Sequence, residues 1–236
     1  MASKQSKNKA RRTAAPLPNR GRFGLKSYIL IIGVVALAVI AVSVLAILSP
    51  KASSAPQIAP TDITFDKSMG AKDAPVVVLE YADYQCPYCK QFADGPEVQL
   101  KKDYIDTGKV RFVFRNLAFI GEESIWAAEA AECANEQGHF WEYHDKLFAE
   151  QGAENSGAFS MDNLKRFAAE LGLNTQSFNQ CLDSGKYRSK VGQETASADQ
   201  LGITSTPTLF VNGQLVKNGS DYTALQVAII AALRKQ

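Results

Sequence analysis

Residues 27–48 run for 22 positions without a charged side chain, SYILIIGVVALAVIAVSVLAIL. As a helix rising about 1.5 Å per residue, such a run matches the roughly 30 Å apolar core of a bilayer. A cleaved secretory signal has a shorter apolar stretch, usually about 7–15 residues. Ala52-Ser53-Ser54-Ala55 imitates a cleavage site, but Pro56 follows it directly and hinders a protease there, and no Cys follows the run to take a lipid. The expectation is an uncleaved, single transmembrane helix that holds the chain to membrane lipid. The eight Lys and Arg of residues 1–26, with no acid among them, place that stub in the cytoplasm and residues 49–236 outside. The remaining 18 bases face all 24 acids, so residues 27–236 carry a net −6, which argues against nucleic acid as a partner of the folded part. The outer compartment is oxidising, so cysteines there can form disulfides.

Residues 49–61 (SPKASSAPQIAPT) read as an extended linker, and 62–236 as the folded domain. The apolar, β-branched run at 74–80 (APVVVLE) predicts a buried strand. A helix is predicted from Pro87 to about Thr107, with a kink or break at Pro96 and a stop at Gly108. The alternation VRFVFRN predicts a second strand over 110–116. Helical spacing then takes over for residues 122–201, including a helix capped by Ser160 and another capped by Asn174. Strands return at 207–211 and 214–216 around Asn212-Gly213, a strong hairpin signal, before a last helix over 221–233. With the helical block set aside the order is close to β-α-β-β-β-α, an α/β fold with an all-helical insertion.

The chemistry sits at Cys86-Pro87-Tyr88-Cys89. Cys86 at a helix start meets unpaired backbone N–H groups and the positive end of the helix dipole, which lower a thiol's pKa and make it a good nucleophile and leaving group. Cys86 is therefore expected to be the exposed, attacking thiol, and Cys89, one turn further in, the shielded one that resolves a mixed disulfide. Pro87 suits the first helical turn, and Tyr88 is the position that tunes thiolate stability. A zinc site would need a second pair of ligands; His139 and His144 are five apart on different helical faces and read as packing or surface residues, so no metal and no cofactor is expected. A passive staple would not account for the buried strand ahead of the motif or for Pro87 at a helix start. Glu80 is the one acid in its strand, six residues before Cys86, and could exchange protons with Cys89; the alternative is a solvated Glu facing an edge. Thr206-Pro207 opens a strand far downstream. It is a candidate cis peptide that leaves the Thr206 backbone free to pair with a substrate chain, or else a trans Pro that merely begins the strand.

VVVLEYADYQCPYC, the helical insertion and GITSTPTLFVNG together resemble the DsbA-like branch of the thioredoxin superfamily over residues 65–236. The resemblance implies a thioredoxin fold, Cys86 attacking, Cys89 resolving, Pro207 as the cis proline facing them and Glu80 as the family's buried acid. It also implies reduced secreted or envelope proteins as substrates and a quinone-linked membrane thiol oxidase as the reoxidising partner. The family's best-known dipeptide between the cysteines is Pro-His; Pro-Tyr is also similar to glutaredoxins, so electron flow could run towards oxidation, or towards reduction and isomerisation. A redox-inactive binding domain on the same fold is the third reading, and the intact cysteine pair weighs against it. Cys133 and Cys181 lie 48 residues apart in the insertion; an oxidising compartment and the second pair that several relatives carry favour a structural disulfide over two free thiols.

Overall fold

The computed structural model describes residues 24–48, 55–59, 61 and 63–235. The basic stub (apart from its last residues), most of the linker and Asp62 lie outside the described residues. The chain divides into two units, residues 1–53 and 54–236. In the first, α1 (Leu25–Leu48) is a helix of 24 residues. Among the described residues no helix is long and apolar enough to cross a membrane.

The second unit is built on a five-stranded sheet in the order β1-β3-β2-β4-β5. The strands are β1 (Ser68–Met69), β2 (Val76–Ala82), β3 (Val110–Asn116), β4 (Thr208–Val211) and β5 (Gln214–Leu215). β2 and β3 run parallel, joined by the helical run that begins at Pro87, and the other pairs are antiparallel. β2 is central, and six of its seven residues are buried. Period-two alternation splits its side chains between two faces. Val76 and Val78 pack with Phe92, Leu100, Leu225 and Ile229. Leu79 and Tyr81 pack with Val113, Phe210 and Ala198 on the other face. Glu80 shares the parity of Val78, and hence the face that meets the helix carrying Cys89.

α2 (Pro87–Phe92) starts where Pro87 predicts, but it does not stay α-helical. It widens into a π-turn (Ala93–Glu97) containing Pro96, narrows to α3 (Val98–Leu100), and widens again over Lys101–Ile105. Pro96 has no N–H to give to the preceding turn, and the wider turn accommodates that loss without ending the helix. Its consequence is local: Glu97, a charged residue, is 6% exposed.

The insertion comprises α4 (Glu122–Asn135), α5 (Phe140–Ala149), α6 (Met161–Glu170), α7 (Thr175–Asp183) and α8 (Arg188–Gln200). Asn174 caps α7 by accepting from Ser177 N at 3.0 Å. Ser160 occupies the cap position of α6, but its side chain makes no capping bond there. α9 (Tyr222–Leu233) is capped by Asp221, which accepts from Ala224 N at 2.9 Å.

Two features go beyond the sequence reading. Ile58, placed in the linker by its Pro/Ser/Ala-rich surroundings, is 7% exposed, and its N–H donates to Gly213 O at 2.9 Å. Asn212 and Gly213 both take positive φ, as a tight hairpin turn demands, and a Cβ on Gly213 would stand 1.9 Å from Ile58 O. The turn therefore seats the incoming chain, and the packed domain begins before Asp62. Lys67 is wholly buried, and its ammonium contacts Glu132 at 2.5 Å and Glu194 at 2.6 Å. Asn116 of β3 also donates to Glu194, so this charged cluster fastens α4 and α8 to the sheet.

Candidate active site

The loop between β2 and α2 is held by side chains that the cysteine motif does not announce. Asp83 accepts from Gln85 N at 2.8 Å through one oxygen and from Phe119 N at 2.9 Å and Ile120 N at 3.2 Å through the other. Gln151, from beyond α5, donates to both Tyr84 O and Cys86 O. Gln85 donates to Ser124 and Asn155. Asp83 and Gln85 flank the motif, and an Asp accepting from the N–H two residues on is an ordinary turn signal. Gln151 and Asn155 carried no signal; they reach the loop only through tertiary folding.

Cys86 is the N-cap of α2, Pro87 is its first residue, and both cysteines are unbonded. Cys86 is not the exposed thiol that its helix-start position suggested, since the residue is only 6% exposed; Cys89 is more deeply buried still, at 0%. Part of the cover on Cys86 is Thr206, whose carbonyl oxygen accepts from Cys86 Sγ at 3.4 Å. The Thr206–Pro207 peptide is cis, and Pro207 directly precedes β4, which pairs with β2. Tyr88, by contrast, is 65% exposed beside the thiols.

The two sulfurs differ sharply in acidity. The Cys86 thiol is lowered from 9.0 to about 6, chiefly by a hydrogen bond from Cys89, with further donors in the Thr206 side chain and the N–H groups of Cys89 and Tyr88; burial opposes them. Thr206 acts in both directions. Its carbonyl accepts from the protonated thiol, while its buried hydroxyl serves the thiolate as a donor. At a pKa of about 6, roughly nine-tenths of Cys86 is ionised at pH 7. Cys89 is pushed well above the usual thiol range by burial, reinforced by its donation to Cys86 and by the Glu80 charge.

Glu80 is 1% exposed in a central strand, so it is not the solvated edge residue that its charge alone would allow. Neither carboxyl oxygen has a hydrogen-bond partner among the described residues. Burial raises its pKa well above the ordinary value, and repulsion from Glu97 and Cys86 adds to the shift. His144 is buried among the rings of Tyr84, Phe114 and Phe148, whereas His139 is largely exposed. Cys133 of α4 and Cys181 of α7 are bonded, with S–S 2.01 Å.

A thioredoxin-type sheet, a C-x-x-C pair at the start of the helix after β2, and a cis proline opening β4 now stand together. The family model described as thioredoxin matches residues 64–231. The chain is 32% identical over 169 residues to disulfide bond formation protein D of Bacillus subtilis, covering 70% of this chain and 76% of that protein. It overlays on the crystal structure of oxidised BdbD from Bacillus subtilis with a TM-score of 0.67 and 32% identity, covering 71% of this chain and 92% of that one. The chain belongs to the DsbA-like thiol–disulfide oxidoreductase family. Longer proteins also contain a segment similar to this chain. The chain is 36% identical over 175 residues to the Na(+)/H(+) antiporter NhaA 3 of Salinispora tropica, and the match spans 26% of that protein's length.

Proposed function

We propose that this DsbA-like protein is a membrane-anchored dithiol oxidase that places disulfides into secreted or envelope proteins through Cys86 and Cys89. The observation that carries this reading is the cysteine pair itself, a Cys86 thiol lowered to about 6 at a helix start over a deeply buried Cys89, in a chain 32% identical to a disulfide bond formation protein. A thiolate stabilised in the reduced protein makes the disulfide the stronger oxidant. The sign follows from the two titrations. An ordinary dithiol ionises only near pH 9, so between about pH 6 and 9 the reduced protein gains over that reference, and below about pH 6 the gain is lost. In this reading Cys86 attacks and is attacked, Cys89 resolves, Glu80 exchanges the Cys89 proton, and Thr206 with Pro207, Pro87 and Tyr88 forms the surface on which a substrate chain lies. A quinone-linked membrane thiol oxidase would restore the disulfide, as the family leads one to expect.

The deciding measurement is the reduction potential of the 86–89 pair against a glutathione buffer at pH 7. The oxidase reading expects a value towards the oxidant end, about −120 mV, whereas about −270 mV would assign the protein to reduction instead.

The anchor rests on the charge-free run of residues 27–48 and the basic residues before it. A reporter that works only outside the cytoplasm, fused after Gln236, should be active, and the protein should sediment with membranes with its N-terminus intact. Recovery of a soluble form beginning near Pro56 would overturn the anchor and leave the oxidase reading untouched.

A further inference from the structure

Cys89 and Glu80 are both sealed from solvent, at 0% and 1% exposure, yet each turnover must bring a proton to Cys89 and later take it away. Attack by a substrate thiolate forms a substrate–Cys86 bond and breaks the Cys86–Cys89 bond. The electron pair leaves on the Cys89 sulfur, and the Glu80 carboxyl gives it a proton. Glu80 is then a buried carboxylate that needs a proton in its turn, and it has almost no face open to bulk solvent.

Glu80 pairs in register with Phe114 of β3, whose ring lies 4.9 Å from the His144 ring, so the groups that lead outward lie on the same side of the sheet as Glu80. Glu97, turned inward by the π-turn around Pro96, is near enough for its charge to be felt at Glu80. Its Oε2 is buried without a hydrogen-bond partner among the described residues and lies 3.6 Å from His144 Nε2, which is buried and equally without a partner. The other ring nitrogen, Nδ1, lies 3.3 Å from Tyr84 Oη. A carboxylate oxygen of Asp145 lies within 4.8 Å of a Glu97 carboxylate oxygen and of a His144 ring nitrogen. Glu97 and Asp145 both line a cavity of about 330 Å³, together with Asp94, Lys101 and Trp141. Asp145 is exposed, so the series that starts at the buried sulfur ends in water.

We propose that Glu97 and His144 carry protons between Glu80 and this cavity, and so serve the buried Cys89. The proposal rests on the oxidoreductase reading given above and adds a route to it. Glu97 reprotonates Glu80 and regains its proton from cavity water, with His144 holding the Glu97 carboxyl in line and sharing the proton. Contacts near 3.6 Å pass protons through a small side-chain turn or one bridging water. The charged and titratable groups around the route are Glu80 from β2, Tyr84 from the loop after it, His144 and Asp145 from α5, Asp94 and Lys101 from Glu97's own helical run, and the two thiols beyond Glu80. Oxidation of the dithiol uses the same route in reverse, so the residues govern rate in both directions and not the equilibrium between them.

The test is stopped-flow reduction of the 86–89 disulfide by dithiothreitol in the full-length protein, in H₂O and in D₂O. Glu97→Gln and His144→Gln should each slow the reaction about tenfold and raise its solvent isotope effect, because proton delivery becomes limiting. The reduction potential of His144→Gln should match the parent protein. Glu97→Asp, which keeps the acid, should recover part of the rate, and it serves as the second variant if Glu97→Gln fails to fold. Folded variants with unchanged rate and isotope effect would overturn the route. A parallel shift in potential and rate would overturn it too, since that marks an electrostatic influence on the thiols. Failure of the oxidoreductase reading looks different: Cys86→Ala would then exchange with dithiols as fast as the parent.

Discussion

Cys89→Ala is expected to accumulate mixed disulfides between Cys86 and its substrates, while Cys86→Ala accumulates few or none. The disulfide presents two sulfurs, but Cys89 is 0% exposed, and it is Cys86 that stands at the helix N-terminus under Thr206. An incoming thiolate therefore lands on Cys86 and expels Cys89, whose return attack ordinarily frees the substrate. Without Cys89 that return is lost, and the adduct persists until an external thiol removes it. The expected contrast in captured protein is at least about tenfold, read on non-reducing gels of envelope proteins, since only one variant keeps the low-pKa nucleophile. Equal capture by both variants would reverse or abolish the division of labour. The structure adds a condition. The largest cause of the Cys86 shift is the hydrogen bond from Cys89, so the thiolate pKa in Cys89→Ala should lie above the value of about 6 expected for the intact dithiol. Cys89→Ser, which keeps a donor, should fall between the two by thiolate absorbance.

Replacing Cys133 and Cys181 together by Ala should be the most destabilising change outside the site. Their bond closes a loop of 48 residues between α4 and α7. The chain-entropy relation gives about 4 kcal/mol for a loop of that length. For a domain of this size that is a fall in Tm of about 8–16 °C. Both sulfurs lie in the core shared by α4 to α7 and the motif, so the double variant also loses buried contacts there. Dithiol exchange at moderate temperature should survive, because the bond joins α4 to α7 and the reacting cysteines sit at the start of α2. Thermal melts of oxidised parent and variant check the first expectation and an insulin-reduction assay the second. An unchanged Tm would mean that the reduced, unfolded chain is already compact enough to offset the loss of the cross-link.

How much of this was legible beforehand depended on the range of the interaction concerned. The strands expected at 74–80 and 110–116, observed at 76–82 and 110–116, were readable because a buried strand needs an unbroken or alternating apolar pattern, and that pattern is local. Asn212-Gly213 announced its turn because two adjacent residues at positive φ demand those residue types. The two-residue β1 was too short to leave a pattern, and Ile58 was hidden by its Pro/Ser/Ala-rich surroundings. Lys67 carries no local signal of burial; only a fold that brings Glu132 and Glu194 to it could bury its ammonium.

The site divides along the same line. By itself the sequence determined the chemistry on offer: two cysteines one helical turn apart behind a buried strand, a proline to start the helix, and an acid six residues upstream. Those assignments rest on spacing along one strand and one helix, where geometry follows directly from residue number. Tertiary structure alone decided how that chemistry is set. It covered Cys86 with Thr206 from 120 residues away and placed Gln151 on the motif carbonyls. It also stacked Glu97 and His144 behind Glu80. Acidity and proton access depend on desolvation and on charges a few ångströms away in space, and distance along the chain carries almost no information about either.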